Sequence, residues 1–353
     1  MNNLEKYRSL LKDGEGLLLT SRYSRYYACG CDIAEGVAVV SKNGARYFTD
    51  SRYIEAAQNG IKTMAVLEMN RQNRYSKLIN EACKDFGITT LGIEEDYMTL
   101  AEYNDFKAAL EAALTPRSGE INRFRSVKED YELTYMKEAQ RITDKTFTEI
   151  LSVIKPGMTE KQLQAELIYL MYKNGGEGLS FDPIVVSGPN TSLPHGVATD
   201  RVIEKGDFIT MDFGVYYKGY CSDMTRTVAV GFATEEMEKV YSTVLQAQCA
   251  AIEATKAGVT GADVDGVARK VIADAGYGDY FGHGYGHSLG MECHEMPSCS
   301  PSGKETMAVN MVTSAEPGIY LPGKFGVRIE DVVIFKDGGC ENITKSPKNL
   351  IIV

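Results

Sequence analysis

Residues 209–230, ITMDFGVYYKGYCSDMTRTVAV, set two aspartates where a β-hairpin would hold them on one face. The runs ITMDFGVYY and CSDMTRTVAV are rich in β-branched and aromatic residues, and Lys218-Gly219 between them is a turn signal. A two-residue turn there makes Asp212 face Thr225 and Gly214 face Asp223, so the two carboxylates become diagonal neighbours. A one-residue slip on both sides would set them directly opposite. In either register they repel, and each raises the other's pKa, unless a cation lies between them. On a solvated hairpin face the same pair would be two exposed charges and nothing more.

The other candidate ligands lie further along. The chain has only four histidines, His195, His283, His287 and His294, all between positions 195 and 294. Histidine is the commonest metal ligand and the side chain that titrates near neutrality. Two acids sit in strand-like contexts, Glu316 in TSAEPGIY and Glu330 in GVRIEDVVIF. Strand alternation puts Arg328, Glu330 and Val332 on one face and Ile329, Asp331 and Val333 on the other, which makes Asp331 structural. Two aspartates, two glutamates and one histidine would form an oxygen-rich site with room for two carboxylate-bridged ions. Such donors favour manganese or magnesium over a sulfur-rich zinc site.

The elements that must position these residues belong to a chain of ordinary globular composition. It has 353 residues, 44% hydrophobic and 24% charged, enough for two domains with separate cores. The mean hydropathy is −0.22. No apolar run approaches a bilayer span, so no membrane association is expected. The net charge of −10 argues against nucleic acid as a partner. The first residues, MNNLEKYRSLLKDGEG, have no hydrophobic signal core, so a cytoplasmic protein is expected. Its eight cysteines then read as reduced thiols. Cys221 and Cys293, beside candidate site residues, suggest sensitivity to thiol reagents.

In chain order, residues 1–122 read as an α/β domain. An amphipathic helix (Leu4, Tyr7, Leu10, Leu11) precedes a strand at 17–21 and a hairpin of 36–41 with 45–50, turning at Lys42-Asn43-Gly44. Short helices near 53–59 and 74–85, strands at 63–68 and 89–94, and a helix over 99–113 follow. The turn-rich, basic stretch 115–128 marks the domain boundary, leaving 123–353 as the second domain. There a long helix over 129–154 ends at Pro156-Gly157, and Thr159 with Gln162 forms a capping box for the next. The phrase Lys155-Pro156-Gly157-Met158-Thr159 returns as Lys256-Ala257-Gly258-Val259-Thr260. With a long helix before each copy and a shorter helix then strands after it, residues 129–345 read as two related halves. Their strands are expected to form one curved, mostly antiparallel sheet. The first half supplies Asp212 and Asp223 and the second Glu316 and Glu330, so the site is expected between the halves.

Together, SLPHG (192–196), MDFGVYYKGYCSDMTRT (211–227), GHGYGHSLGMECHE (282–295), SAEPGIY (314–320) and GVRIED (326–331) resemble the pita-bread metallopeptidases. The resemblance is to the branch of Xaa-Pro aminopeptidases and prolidases (Xaa-Pro dipeptidases). GVAVVSKNGARYFTDSRYIEAA resembles the creatinase-type N-terminal domain of the same branch. The resemblance implies a creatinase-like α/β domain followed by an α+β pita-bread domain with pseudo-twofold symmetry. It implies two divalent ions, manganese first, or cobalt, zinc or iron, on Asp212, Asp223, His287, Glu316 and Glu330. Glu316 would also transfer the proton of an attacking water. His195 would contact the substrate around the scissile bond, and His294 would stabilise the tetrahedral intermediate or steady the leaving group. Arg328 and His283 would belong to the proline-side pocket. Proline-containing peptides would be the substrates and a homodimer the assembly. An Xaa-Pro aminopeptidase is the expected activity, and a prolidase the alternative. A pita-bread protein kept only for binding is disfavoured because every ligand position is filled, and methionine aminopeptidases normally lack such an N-terminal domain.

Overall fold

The computed structural model describes residues 3–353. They fall into two compact units, one ending at Arg125 and the other comprising Ser126–Val353. The first contains helices α1 (Asn3–Ser9), α2 (Arg22–Cys29), α3 (Ile54–Gly60), α4 (Tyr75–Phe86), α5 (Leu100–Ala109) and α6 (Ser118–Ser126). Its strands are β1 (Glu15–Leu19), β2 (Val37–Ser41), β3 (Ala45–Asp50), β4 (Ala65–Met69), β5 (Thr90–Ile93) and β6 (Ala113–Pro116). They form one mixed sheet in the order β4-β3-β2-β1-β5-β6. The β2–β3 pair is the expected hairpin, with Val40 opposite Ala45. Leu18, Val39, Phe48, Ile79 and Leu91 fill its core. The proposed boundary at 122 falls inside α6, a helix that sequence reading treats as linker, and β6 is an edge strand it does not anticipate.

The second unit begins with α7 (Asp130–Ile150), α8 (Glu160–Lys173), β7 (Gly178–Leu179), β8 (Ile184–Ser187), β9 (Phe208–Phe213), β10 (Val215–Tyr217), β11 (Tyr220–Cys221) and β12 (Met224–Ala229). It continues with α9 (Glu235–Ala254), α10 (Gly261–Asp274), β13 (Gly286–Ser288), β14 (Glu295–Cys299), β15 (Val312–Ala315), β16 (Gly318–Leu321), β17 (Phe325–Arg328), β18 (Asp331–Lys336) and β19 (Gly339–Asn342). The repeated phrase has the same local structure in both copies. Gly157 and Gly258 have φ of 94° and 92°, a left-handed conformation that suits glycine. Thr159 and Thr260 each close a capping box, with Gln162 and Asp263. Gly157 N–H donates to Ile203 O, and Gly258 N–H donates to Met307 O.

Within each half, two helices cover one face of the strands. Met211 and Phe213 of β9 pack with Ile142, Phe147 and Leu167. Val327 and Ile329 pack with Val244, Ala251 and Ile272 in the second half. Each such side chain stabilises the fold by roughly 1.5–3 kcal/mol through the hydrophobic effect. Because side chains alternate across a strand, burying Met211 and Phe213 turns Asp212 to the opposite face. Hydrogen bonding divides the strands into separate small sheets, β12-β9-β8, β11-β10-β7, β14-β13-β15-β18-β19 and β16-β17. The halves are not joined by one continuous ladder. They meet through individual bonds, Glu330 N–H to Thr225 O at 3.0 Å and Thr227 Oγ1 to Arg328 O at 3.0 Å. Between them lies Arg226, fully buried, bonded to Asp331 Oδ1 and to the carbonyls of Thr225, Glu330, Ser346 and Pro347.

Candidate metal centre

The hairpin has the register that its turn dictates. Lys218 and Gly219 both have positive φ, as a two-residue primed turn requires, and Tyr217 pairs with Tyr220. Thr225 is opposite Asp212. Gly214 sits where a Cβ would lie 1.9 Å from Ser222 O, so only glycine lets the strands approach there. His287 lies on β13 with a bulge after it, opposite Ser298, while Glu316 and Glu330 lie just beyond the ends of β15 and β17.

These elements bring all five expected ligands to one cavity of about 540 Å³, which His195, His283, His294 and Arg328 also line. One ligand atom from each of Asp223, His287 and Glu330 lies within 4.8 Å of the others. His287 Nε2 is 3.6 Å from Asp223 Oδ2 and 3.4 Å from Glu316 Oε1. Its Nδ1 faces Ser288 O at 3.2 Å, so that nitrogen carries the proton and the Nε2 lone pair faces the carboxylates. Asp212 Oδ1 and Asp223 Oδ1 are buried without a hydrogen-bond partner. A histidine lone pair within 3.6 Å of two carboxylates, with partnerless carboxylate oxygens buried in the same cavity wall, is a donor set for cations.

The electrostatics agree. Burial, then the charges of Asp212 and Glu316, pushes the Asp223 carboxyl well above the usual carboxylate range. Burial, then Asp223, Glu316 and Asp212, does the same to Glu330. Glu316 is raised as well, chiefly by burial. Burial lowers the pKa of His287, and of His294 with help from His287. Divalent ions would reverse the carboxylate shifts by supplying the missing positive charge. The residues present fit a divalent pair.

Neighbouring groups fix the ligands. Thr225 Oγ1 donates to Glu330 Oε2 at 2.7 Å, and Ser314 Oγ donates to Glu316 Oε1 at 3.1 Å. Arg328 is buried, with Nη2 on Asp212 Oδ2 at 2.7 Å, Nε on Thr225 Oγ1, and Nη1 on Tyr320 Oη and Pro194 O. Tyr320 Oη in turn donates to His283 Nε2 at 2.8 Å, while His283 Nδ1 donates to Gly284 O at 2.8 Å. Both ring nitrogens of His283 are therefore taken up inside the protein. The His294 ring lies 4.2 Å from the His287 ring, and His195 is exposed at the cavity wall. Asp331 faces away from the site, paired with Arg226 and Lys348, as strand alternation requires. Cys293 Sγ donates to Asp223 Oδ2 at 3.3 Å, and burial followed by that carboxylate pushes its thiol up, so thiolate-directed reagents meet a protonated thiol. Cys221 is fully buried.

Sequence reading passed over Phe181, Asp182, Ile184, Ser298 and Ser300, which complete the wall. Only Ile184 left a usable signal, since a strand antiparallel to β9 places it opposite Asp212. Thr225 and Ser314 were legible in principle, one by hairpin register and the other by lying two residues from Glu316.

Sequence profiles and solved structures bear on this arrangement. Metallopeptidase family M24 matches residues 134–337, and the creatinase/prolidase N-terminal domain matches residues 4–127. An uncharacterized peptidase of Bacillus subtilis is 41% identical over 99% of both chains. The structure of an Xaa-Pro dipeptidase from Bacillus anthracis superposes with a TM-score of 0.95 at 42% identity, covering 99% of each chain. An X-Pro aminopeptidase from Thermotoga maritima gives 0.92 at 37% identity, covering 99% of this chain and 100% of that one.

Proposed function

The chain belongs to metallopeptidase family M24, and from that premise we propose that it is an Xaa-Pro aminopeptidase, removing the first residue of peptides with proline second. The observation that carries the reading is the convergence of Asp212, Asp223, His287, Glu316 and Glu330 on one cavity. These five would hold two divalent ions, and their oxygen-rich set suits manganese. When bound, the ions supply Lewis-acid polarisation of the peptide carbonyl and a water acidic enough to attack at neutral pH. Glu316 takes up that water's proton and returns one to the departing proline nitrogen, with Ser314 holding one of its oxygens in place. His294, kept neutral by burial and by His287, donates a hydrogen bond where charge develops on the carbonyl oxygen. His195 contacts the substrate from the exposed wall. Arg328 holds Asp212 in position, and His283 acts by anchoring Tyr320 against that arginine.

The choice of aminopeptidase over dipeptidase rests on the same arginine. Among the described residues lining the cavity, Arg328 is the one permanent cation; its charge is paired with Asp212, and Asp212, Thr225, Tyr320 and Pro194 take up four of its five N–H donors. His283 and His294 are held toward the neutral form by burial. The C-terminal carboxylate of an Xaa-Pro dipeptide would lack a fixed counter-charge, whereas a longer peptide brings a neutral amide to that place. The likeness to the Bacillus anthracis Xaa-Pro dipeptidase supports the second reading. The deciding assay compares Ala-Pro with Arg-Pro-Pro on enzyme reloaded with manganese, cobalt or zinc. Release of arginine from the tripeptide is expected, and cleavage of the dipeptide alone would make the protein a prolidase. We also propose a homodimer, testable by sedimentation, and a cytoplasmic location, which the eight free cysteines support.

A further inference from the structure

Beneath the candidate metal centre is an ion pair that the chemistry above does not use. Lys128 Nζ meets Glu295 Oε2 at 2.9 Å, with the two side chains 1% and 4% exposed. A buried pair of this kind contributes little more to stability than apolar residues of equal volume. What apolar residues cannot do is accept hydrogen bonds. Glu295 Oε1 accepts from the backbone N–H of Met291 at 3.1 Å and of Glu292 at 3.3 Å.

These bonds close the loop 289–294, whose base is the Ser288–Glu295 pair of β13 and β14. The loop carries Cys293, on Asp223, and His294, whose ring is tilted 39° against that of His287 with the centroids 4.2 Å apart. It is tied to the aspartate hairpin by Cys221 N–H donating to Gly290 O at 2.7 Å. A Cβ on Gly290 would lie 2.7 Å from Glu295 Oε2 and 2.9 Å from Lys128 Cε, so glycine leaves room for the pair. Lys128 is itself fixed, its N–H donating to Asn310 O at 3.0 Å.

We propose that Glu295 and Lys128 are positioning residues: the carboxylate folds the 289–294 loop, the lysine holds the carboxylate, and together they set His294 over His287. The proposal deepens the reading above and rests on its assignment of His294 to the substrate. Neither residue touches the reacting atoms.

The test uses two double variants, each with its charge removed as a pair. In Lys128→Met/Glu295→Leu the acceptor is gone. In Lys128→Met/Glu295→Gln a side-chain carbonyl still reaches both N–H groups. For the first, bound metal per chain and KM for Arg-Pro-Pro should stay within twofold of wild type. Its kcat should fall tenfold or more, and the Met291 and Glu292 amides should exchange with deuterium at least tenfold faster. The second variant should recover most of the kcat and of the amide protection. Unchanged exchange in the leucine variant, or faster exchange with wild-type kcat, would overturn the proposal. So would loss of metal in parallel with kcat. Amide exchange reads the loop whether or not wild type cleaves Xaa-Pro bonds, so failure of the peptidase assay sinks the functional reading separately.

Discussion

Replacing Arg226 with methionine tests how the two halves hold the ligands. The guanidinium is fully buried and joins β12 of the first half to Glu330 O and Asp331 of the second, and to the carbonyls of Ser346 and Pro347. Methionine matches the aliphatic stem and removes every donor. Summing the lost bonds would overstate the cost, because part of each is recovered by water and by relaxation. Asp331 also keeps Lys348 Nζ at 2.9 Å and Asn342 Nδ2 at 2.6 Å, so its charge is not left alone. Breaking a buried pair on one side costs about 3–5 kcal/mol, and the remaining partners put Arg226→Met near the lower end, about 3 kcal/mol. In a domain of this size, about 2–4 °C of melting temperature is lost per kcal/mol, so a fall of about 6–12 °C is expected. Calorimetry should be run on metal-free protein, so that bound ions do not mask the loss. Manganese affinity should fall too, because Glu330 O anchors the backbone of a ligand. A melting temperature within about 2 °C of wild type would refute the view that this arginine ties the halves together.

Glu160 should act through pH. Burial pushes its carboxyl up, but hydrogen bonds from Thr199 and Ser187 outweigh that and hold its pKa below the usual value. A depressed folded pKa gives stability that is present above the unfolded value of about 4.3 and is lost as pH falls through the lower folded value. The wild type minus Glu160→Gln difference in unfolding free energy should therefore be larger at pH 7 than at pH 3, by urea titration at both. An equal difference would remove the linkage. Gly214→Ala must move Ser222, since the new Cβ meets its carbonyl, and it should cost at least about 1 kcal/mol together with most of the activity, by melting and peptide assays. Manganese at 100 times its dissociation constant should stabilise stripped wild type by about 2.7 kcal/mol for each ion bound, and Asp223→Asn should lose most of that gain.

How much of this was legible depended on whether local chemistry decided the matter. Lys218-Gly219 can turn in few ways, so both registers open to the sequence set Asp212 and Asp223 on one face, and the observed pairing of Asp212 with Thr225 is the one with Lys218-Gly219 as the two turn residues. The repeat was readable from the matching phrases 155–159 and 256–260 and the order of elements around them, and both copies prove to carry a threonine-capped helix. Helix α2 was harder: its residues RYSRYYAC have no clean apolar period, and it is fixed by Ser21 capping and by Arg25 reaching Tyr47 and the Ile33 and Ala34 carbonyls. The division of the strands into small sheets was hidden for a related reason. It depends on where side chains such as Arg226 replace ladder bonds between the halves. The same holds at the site. The ligands announced themselves by residue type, but that Arg328 is spent on Asp212 and that His283 is closed off by Tyr320 are tertiary facts.

The most direct test strips the protein with EDTA and follows arginine release from Arg-Pro-Pro as manganese is added back, with bound metal measured at each step. Negligible hydrolysis is expected without metal, with recovery that climbs with bound ions to a plateau, and no recovery in Asp223→Asn. Undiminished hydrolysis in EDTA, or metal that binds Asp223→Asn and wild type alike, would contradict it.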